Sequence, residues 1–424
     1  MMRVQGSIRV PGDKSISHRA LMFAAISEGN SRIRGILQSA DVQSTASVLR
    51  HLGAAIPTLS ADFSVRGVGL KGLKAPSAPV DCGNSGTSAR LLAGIAAAQP
   101  FRTTFVGDAS LSRRPMRRVA KPLNEMGARV DLPQHGGLPM SVLGGQLHTI
   151  EYFSETSSAQ VKSCILLAAC AAQMPVSIIE PLHSRDHTER MLFARGMHMH
   201  LSEIDKGHCI HFAPGHGMPA MDIEVPGDPS SAAFFVGLAG MAKAGRIELK
   251  NVCVNPTRDG AFKVLSRMGV EIVYSDSAER GGEPIATVSA RPKKLVATSI
   301  GGSEIPSLID ELPLIACVAS RADGETVITG AGELRVKESD RIATVVENLR
   351  AVGAQAYELP DGLRVVGTSN PLTGRVKTQG DHRIAMAFGV LGAIPGNSIQ
   401  IDDRQCVGVS YPSFWTDLAS AVTR

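Results

Sequence analysis

The chain repeats one pattern six times, and this repetition limits how it can fold more than any other feature. Each copy begins with a short polar segment that leads into an apolar run, as Asp13-Lys14-Ser15 leads into Ala20–Ala25. The polar segments start at residues 13, 83, 157, 228, 307 and 380, so the five intervals between them are 70 to 79 residues long, and six units of about 71 residues account for the 424 residues. We therefore predict six related folding units rather than one continuous core.

A second pattern recurs in step with the first. In five copies an amphipathic segment ends in glycine 39 to 46 residues after the start, at Gly53, Gly127, Gly196, Gly269 and Gly353. Glycine at such a place is typical of the left-handed residue that follows a helix. Short β-like runs lie between and after the helices. Each unit is therefore predicted to hold two helices and several strands, an α/β architecture.

The length of the chain predicts more than one domain. A chain of 424 residues is too long for a single hydrophobic core, and three units in each of two domains is the simplest division. The segment 224–227 is the best candidate for a crossing between domains. The alternating stretch 3–10 reads as a strand that precedes the first unit, and we expect it to complete a sheet with the far end of the chain.

The composition of the chain limits the classes of ligand and partner that it is expected to bind. The net charge is +5, no block of Lys or Arg is present, and aromatic residues are 4% of the total, so a small anionic substrate fits better than a nucleic acid. Seven scattered cysteines without a C-x-x-C pair argue against a disulfide framework or a zinc site. The longest apolar stretch, 164–174, is far shorter than the roughly 20 residues of a membrane span, and no leader opens the chain. We expect a cytoplasmic protein without a membrane partner.

Several unit starts combine a helix N-terminus with basic residues. The free N–H groups and the helix dipole at such a place favour anions, and Lys14 and Arg19 add positive charge beside the first one. The stretch Gly83–Ser88 lets backbone approach a ligand closely and offers hydroxyl and amide donors. The alternatives are a solvated basic turn and a plain glycine-rich turn. Asp41 is predicted to cap the helix that ends at Gly53.

Further arginines precede later helices. The loop 108–118 carries four arginines within six positions, of which Arg114, held before Pro115, is expected to point inward. Ser158 and Gln160 begin the third unit, and Arg185 precedes the cap of that unit's second helix. Capping and ion pairs within the helix are the alternative reading of 184–190.

The candidate carboxylates for proton transfer lie in the fifth unit. Asp310 stands at the mouth of an apolar helix, and Lys337, Glu338 and Arg341 follow within an octapeptide that fits a site for binding anions and moving protons. A solvated cluster of ion pairs is the alternative. In the sixth unit the His382-Arg383 pair at a helix N-terminus opposes the dipole, which a bound anion would offset.

Taken in order, these segments closely resemble the 5-enolpyruvylshikimate-3-phosphate synthase (3-phosphoshikimate 1-carboxyvinyltransferase) family of enolpyruvyl transferases. The motifs that carry the resemblance lie in most of the units and run from end to end of the chain: Gly12–Arg19, Gly83–Thr87, Arg114-Pro115, Ser158–Gln160, Ile309–Glu311, Val336–Arg341 and Gly380–Arg383.

The resemblance implies an α/β (α+β) fold of two domains, each with three βαβαββ repeats around a pseudo-threefold axis, an inside-out α/β barrel. The expected domains are 13–226, and 1–12 together with 227–424, with hinge crossings near 11–13 and 224–227. The resemblance also implies a monomer.

The implied reaction transfers the enolpyruvyl group of phosphoenolpyruvate to the 5-hydroxyl of shikimate 3-phosphate and releases phosphate. It proceeds by addition and elimination through a tetrahedral ketal, without metal or cofactor. Asp310 would take the hydroxyl proton, Glu338 would protonate the methylene carbon, and Lys14 would touch both substrates. Shikimate 3-phosphate would be held by Lys14, Ser15, Arg19, Ser158, Gln160, Arg185, Asp310 and Lys337. Phosphoenolpyruvate would be held by Lys14, Asn84, Gly86, Arg114, Gln160, Arg341 and Arg383.

Two departures from the family pattern stand out. Many members carry a C-terminal Lys where Gln405, beside Arg404, stands here, and a second Ser where Ala159 stands. Gly86 is the residue expected of a member that glyphosate inhibits in competition with phosphoenolpyruvate. The sister transferase that acts on UDP-N-acetylglucosamine usually has Cys and Asn where this chain has Ala109 and Ser15. A non-catalytic anion-binding homologue is a third reading, which loss of Asp310, Glu338 or Lys14 would favour, and all three are present.

Overall fold

The computed structural model describes residues 2–205 and 207–423, which form two compact units. The N-terminal unit comprises Gly12–Val225 and Glu279–Glu283. The C-terminal unit comprises the chain up to Pro11, Pro226–Ala278 and the chain from Pro284 onward. The short segment Glu279–Glu283 thus differs from the expected division, because Arg280 pairs with Glu224 and Glu283 with His187.

The secondary structure follows the predicted alternation. The strands are β1 Arg3–Ile8, β2 Asn30–Arg34, β3 Asp62–Arg66, β4 Val80–Asp81, β5 Arg102–Val106, β6 Arg129–Asp131, β7 Met140–Leu143, β8 Glu151–Phe153, β9 Val176–Glu180, β10 His198–Ile204, β11 Gly207–Ala213, β12 Ile223–Glu224, β13 Ala244–Cys253, β14 Glu271–Arg280, β15 Glu283–Arg291, β16 Ser299–Ile300, β17 Glu325–Ile328, β18 Gln355–Leu359, β19 Gly362–Val366, β20 Thr373–Val376, β21 Ser398–Ile401 and β22 Val422–Thr423.

The α-helices are α1 Lys14–Ile26, α2 Ala40–His51, α3 Gly86–Ala97, α4 Ala109–Arg113, α5 Arg117–Glu125, α6 Ala159–Ala172, α7 His187–Phe193, α8 Pro229–Met241, α9 Gly260–Arg267, α10 Ile305–Leu308, α11 Leu312–Ala319, α12 Arg341–Ala351, α13 His382–Gly392 and α14 Phe414–Ser420. Short 3₁₀ helices span Gly302–Glu304, Ile309–Glu311, Gly332–Val336 and Gln405–Val409.

Five of the six repeats share one strand order, and the sixth contributes the two-stranded parallel sheet β20-β21. In the N-terminal unit the sheets are β4-β5-β7-β6, β10-β11-β9-β8 and β12-β2-β3, and in each a parallel pair is followed by antiparallel neighbours. In the C-terminal unit the sheet β16-β17-β19-β18 repeats that order, and β1-β13-β15-β14 repeats it again. The periodicity of the sequence therefore corresponds to a repeated sheet.

The N-terminal strand lies in the C-terminal unit, as predicted. β1 pairs in parallel with β13 and antiparallel with β22, which is the last strand of the described chain. In the N-terminal unit, β12 plays the equivalent part, because it adds to β2 in parallel at the edge of the first repeat.

The first helix of each repeat forms the core of its unit. In the N-terminal unit α3 contacts both α1 and α6, and in the C-terminal unit α8, α11 and α13 all contact one another. All thirteen residues of α8 are buried. A helix that is apolar on every face can be stable only when other elements surround it, which explains why these segments carry Ala and Leu throughout. Among residues 2–205 and 207–423, no helix is long and apolar enough to cross a membrane.

Local signals placed the helix ends well, with one exception. The five predicted glycines lie two or three residues past α2, α5, α7, α9 and α12, and each has a positive φ, between 80° and 105°. Asp13 caps α1 by accepting from the Ile16 N–H at 2.8 Å. The predicted cap at Asp41 is wrong, because Ser39 occupies the cap position of α2 and Asp41 lies inside the helix.

Candidate active site

The predicted site residues fall into two sets, one in each unit. In the N-terminal unit the set begins at α1. Lys14 opens this helix, and its Nζ lies 3.0 Å from Asp41 Oδ2, with the lysine side chain 20% exposed. Asp41 is the second residue of α2, and its carboxylate bonds Lys14 rather than capping the helix. A lysine that is partly open to solvent and held by one carboxylate is fixed in place yet can contact an anion.

Arg19 lies deeper on the same helix. Its Nε donates to Thr188 Oγ1 and its Nη2 to Ser163 Oγ, both at 2.7 Å, while Nη1 donates to the Ser15 carbonyl at 3.0 Å. Burial lowers the pKa of the Arg19 guanidinium to about 10, although nearby carboxylates oppose that shift. Arg19 thus ties the first turn of α1, which carries half-buried Ser15, to α6 and α7.

The glycine-rich loop before α3 connects to the arginine loop. Asn84 Oδ1 accepts from Arg114 Nη2 at 2.5 Å, and Asn84 Nδ2 donates to Asp108 Oδ2 at 2.6 Å. Arg114 is buried, as predicted for the arginine that precedes a proline. Two segments that are 30 residues apart in sequence therefore meet through one asparagine side chain.

Arg90 lies one helical turn after Gly86 and bonds Gln160, and the sequence interpretation missed it. Its Nη1 donates to Gln160 Oε1 at 2.6 Å and its Nη2 to the Pro115 carbonyl at 3.2 Å, while Gln160 Nε2 donates to Thr87 Oγ1 at 3.1 Å. The available signal was spacing, because Arg90 follows Gly86 by four residues and so lies one turn along the same helix face. Arg90 thus orients Gln160 and bonds the loop at Pro115, directly after Arg114.

If Gly86 contacts phosphoenolpyruvate as the sequence resemblance implies, Gly86→Ala should raise the KM for that substrate about tenfold without loss of stability. An added Cβ would lie 2.8 Å from Arg90 Nη1, so the guanidinium must shift and its bond to Gln160 weakens. Alanine in the first turn of a helix does not destabilise it. Steady-state kinetics and thermal unfolding test this. Gly392→Ala is the control, since its Cβ would meet Ile399 at an ordinary 3.4 Å. An unchanged KM for phosphoenolpyruvate in Gly86→Ala contradicts the prediction.

The third repeat contributes Ser158 and Arg185. Ser158 is half-buried in the cap position of α6, where its side chain makes no capping bond. Arg185 is half-buried just before α7 and lies close enough to Arg19 to lower the pKa of that guanidinium. The alternative reading of this segment is partly right, because Arg190 Nε bonds Asp186 Oδ2 at 2.8 Å, but the Asp186 side chain does not cap the helix.

A buried ionic cluster supports this repeat. Lys162 Nζ lies 2.8 Å from Glu180 Oε1 and 2.7 Å from Glu189 Oε1, and the lysine side chain is 3% exposed. Burial alone would raise the pKa of Glu180, but the hydrogen bond from His208 and the charge of Lys162 lower it to about 2. Burial alone would lower the pKa of Lys162, but the charges of Glu189 and Glu180 raise it.

These shifts predict acid sensitivity. Because the pKa of Glu180 is about 2 in the folded state and about 4.5 in an unfolded chain, the cluster's contribution to stability is complete above pH 4.5 and is lost as the pH falls toward 2. The full effect is on the order of 3 kcal/mol. Urea unfolding from pH 7 to pH 3 should show a slope that Glu180→Gln removes and Glu155→Gln, at a surface ion pair, retains. Equal slopes in wild type and Glu180→Gln would contradict this.

In the C-terminal unit the set is built around Arg341, which is 1% exposed at the start of α12. Its Nε bonds Asp381 Oδ2 at 2.8 Å, its Nη2 bonds Glu338 Oε2 at 2.6 Å, and its Nη1 bonds Asp310 Oδ1 at 3.2 Å. Burial alone lowers the pKa of Arg341, but the charges of Asp381, Glu338 and Asp310 outweigh burial, and the net shift is upward.

Two more cations approach Asp310. Lys337 Nζ lies 3.6 Å and Arg383 Nη2 3.9 Å from its carboxylate, whose side chain is 14% exposed. Arg383 Nη1 also donates to the Asp310 carbonyl at 3.0 Å and to Glu311 Oε1 at 3.1 Å. Two carboxyl groups, Asp310 and Glu338, thus lie against shared cations, an arrangement able to accept and deliver protons beside a bound anion.

The basic start of α13 is compensated within the protein. Asp381 caps this helix by accepting from the Arg383 N–H at 2.9 Å. Burial alone raises the pKa of Asp381, but the charge of Arg341 outweighs it and the pKa is lowered. A bound anion is therefore not needed to explain His382-Arg383.

The C-terminal departures from the family pattern lie near Trp415. The Arg404 guanidinium stacks over the Trp415 ring at 3.8 Å, and the Trp415 Nε1 donates to the Arg404 carbonyl at 2.9 Å. Gln405 is exposed at the start of a 3₁₀ helix, where its N–H donates to Asp403 at 2.8 Å. The indole thus holds Arg404 beside Gln405.

The fold resembles that of a solved enolpyruvyl transferase. NikO from Streptomyces tendae superposes with a TM-score of 0.74 over 99% of this chain and 95% of that chain, at 17% identity, which places the fold in that class. A solved EPSP synthase from Acinetobacter baumannii gives a TM-score of 0.85 at 39% identity, over 100% of this chain and 98% of that chain.

Sequence comparison is more specific. The family described as EPSP synthase (3-phosphoshikimate 1-carboxyvinyltransferase) matches residues 1–418. A 3-phosphoshikimate 1-carboxyvinyltransferase of Sulfurihydrogenibium sp. strain YO3AOP1 is 44% identical over 98% of this chain and 97% of its own length. One of Xanthomonas euvesicatoria is 46% identical over 97% of this chain and 93% of its own length. The chain belongs to the EPSP synthase family, and the predicted resemblance and fold class are confirmed.

Proposed function

We propose that this chain transfers the enolpyruvyl group of phosphoenolpyruvate to the 5-hydroxyl of shikimate 3-phosphate and releases phosphate, a step in aromatic amino acid biosynthesis. The observation that carries the proposal is the family match over residues 1–418, which spans both units rather than one. The relatives at 44% and 46% identity are named for this activity.

Binding two anions together requires several cations. Each charge-assisted hydrogen bond contributes about 1.5–3 kcal/mol, which offsets the repulsion between the substrates. We propose that shikimate 3-phosphate is held by Lys14, Ser15, Arg19, Ser158, Gln160, Arg185, Asp310 and Lys337. We propose that phosphoenolpyruvate is held by Lys14, Asn84, Gly86, Arg114, Gln160, Arg341 and Arg383.

The contacts of Arg341 suggest how an anion enters this set. Its bond to Asp381 is fully buried, whereas its partners Asp310 and Glu338 are 14% and 23% exposed. The exposed partners are those that a substrate carboxylate or phosphate can exchange with. Substrate binding would therefore keep the Asp381 pair and rearrange the other two.

Two proton transfers form the tetrahedral ketal, and elimination then removes one proton from the new methyl group as phosphate leaves. We propose that Asp310 accepts the proton of the attacking hydroxyl and that Glu338 protonates the methylene carbon, with Lys14 contacting both substrates. The support is that both carboxylates bond one guanidinium, at 3.2 Å and 2.6 Å from Arg341 nitrogens, so their separation is fixed. General acid–base groups held in this way typically contribute about 10²–10⁴ in rate.

One assay tests the activity. Purified protein is incubated with phosphoenolpyruvate and either shikimate 3-phosphate or UDP-N-acetylglucosamine, and phosphate release is measured together with the enolpyruvyl product. We expect turnover when shikimate 3-phosphate is the acceptor and none when UDP-N-acetylglucosamine is the acceptor. Turnover with only the sugar nucleotide would assign the sister reaction, and binding without turnover of either would assign a non-catalytic role.

We further propose that the chain acts as a monomer in the cytoplasm. The seven cysteines are free thiols, six of them buried, which suits a reducing compartment. Light scattering during size-exclusion chromatography should give the mass of one chain, 44.6 kDa. A mass of two chains at micromolar concentration would overturn the monomer.

A further inference from the structure

The loop between β9 and α7 carries Arg185, and buried charged side chains form hydrogen bonds with it. Within this loop, residues 181–186, Pro181 and His183 are exposed, whereas Ser184 is only 4% exposed. Ser184 directly precedes Arg185 in the chain. What fixes Ser184 therefore fixes the origin of the Arg185 side chain.

Three atoms of Ser184 are bonded to the Lys162 cluster. Its N–H donates to Glu180 Oε1 at 3.1 Å, its Oγ donates to Glu180 Oε2 at 2.8 Å, and its carbonyl accepts from Lys162 Nζ at 3.2 Å. Lys162 is in turn held at 2.7 Å by Glu189 of α7. A residue whose N–H, hydroxyl and carbonyl all have buried charged partners has little freedom to rotate.

A second bond ties the loop to the start of the third repeat. The Leu182 N–H donates to Ser157 Oγ at 2.8 Å, and Ser157 precedes Ser158. On the far side, Thr188 of α7 accepts from Arg19 at 2.7 Å. The loop is thus connected at both ends to segments that the proposed function assigns to shikimate 3-phosphate.

We propose that Ser184, held by Glu180 and Lys162, is a positioning residue that aims Arg185 at an anionic group of shikimate 3-phosphate. This inference rests on the proposed function, since it takes Arg185 as a ligand of that substrate. The proximity of Arg185 and Arg19, which lowers the pKa of Arg19, is what two guanidinium groups gathered for one anion would produce. A fixed backbone keeps them together despite their repulsion.

The first experiment uses Ser184→Ala, which removes one hydrogen bond and leaves the backbone bonds to Glu180 and Lys162. Calorimetric titration with shikimate 3-phosphate should show a Kd raised about 3- to 10-fold. The KM for phosphoenolpyruvate and kcat should stay within twofold. Ser27→Ala is the matched control, because Ser27 is fully buried in the same unit and its Oγ also makes one bond, to the Ala24 carbonyl at 3.0 Å. A Kd unchanged by Ser184→Ala overturns the inference.

A double-mutant cycle distinguishes positioning from general loosening. If Ser184 acts through Arg185, Ser184→Ala should have no further effect on the Kd once Arg185 is alanine. Full additivity of the two substitutions would overturn the inference, because Ser184 would then act by another route. Thermal unfolding of each variant checks that all four proteins are folded.

The same series separates this inference from the proposed function. Arg185→Ala alone should weaken binding of shikimate 3-phosphate. If it does not, Arg185 is not a ligand and the positioning role falls with it, while wild-type turnover still supports the reaction. If wild type neither binds nor turns over shikimate 3-phosphate, the proposed function itself fails. If Arg185→Ala weakens binding of shikimate 3-phosphate and Ser184→Ala leaves it unchanged, the positioning role of Ser184 is rejected while Arg185 remains a ligand.

Discussion

Lys14→Met is expected to lower kcat/KM about 10²- to 10⁴-fold while the protein stays folded. In the proposed function Lys14 contacts both anionic substrates, and two charge-assisted hydrogen bonds at about 1.5–3 kcal/mol each account for that range. The substitution also leaves Asp41, whose side chain is 10% exposed, without the ammonium group at 3.0 Å. Methionine keeps the length of the side chain, so the loss reports the charge. Steady-state kinetics with each substrate varied measures it.

The Asp41 carboxylate provides the sharpest control for this result. If activity is lost only because that carboxylate repels the substrates, Lys14→Met/Asp41→Asn should recover most of it. We expect the double variant to remain at least 10²-fold impaired, because the missing contact is to the substrates themselves. Lys121→Met, which removes a lysine from an exposed ion pair with Glu155 at 3.6 Å, should be fully active. Recovery in the double variant would remove Lys14 from the set of substrate ligands.

Local signals in the sequence predicted much of the fold. The left-handed glycines after five helices and the capping of α1 by Asp13 depend on interactions that span three or four residues, which a sequence displays directly. The sequence repeat predicted a repeated sheet because segments with the same pattern of apolar residues form the same elements and bury the same faces. Even the pairing of β1 with the far end of the chain followed from its position before the first unit.

Side-chain pairing across the fold could not be predicted in the same way. Local rules predicted Asp41 as a helix cap, yet it lies inside α2 and its carboxylate bonds Lys14, 27 residues earlier. Arg90 reaches Gln160 across 70 residues, and the sequence offered only a helical turn from Gly86 as a signal. Such contacts depend on how helices pack, and packing follows from the tertiary structure rather than from spacing.

The structure also explains why carboxylates lie beside the cations of a site that is predicted to bind anions. Two partly exposed lysines of the predicted site each lie near a carboxylate of their own unit, Lys14 at 3.0 Å from Asp41 and Lys337 at 3.6 Å from Asp310. Without such partners, cations clustered this closely would repel one another. Ion pairs that are partly open to solvent are weak enough for a substrate anion to replace, whereas the buried Arg341–Asp381 pair is not.

Glu338→Gln is expected to lower kcat about 10²- to 10⁴-fold with little change in the Kd of shikimate 3-phosphate. Glutamine has the same shape but cannot deliver the proton that the proposed mechanism takes from Glu338. Arg341 loses its bond at 2.6 Å to a carboxylate but keeps Asp381 and Asp310, so the variant should fold. Single-turnover kinetics and calorimetry separate the chemical step from binding.

Asp310→Asn should behave differently, and that difference tests the assignment of the two carboxylates. Because Asp310 is proposed both to accept the hydroxyl proton and to hold shikimate 3-phosphate, its substitution should lower kcat and also raise the Kd of that substrate. Glu358→Gln, at an exposed ion pair with Arg335, is the control and should keep wild-type kinetics. A kcat within about fivefold of wild type for Glu338→Gln would rule out Glu338 as the proton donor, since a general acid cannot be removed at so small an effect on the rate.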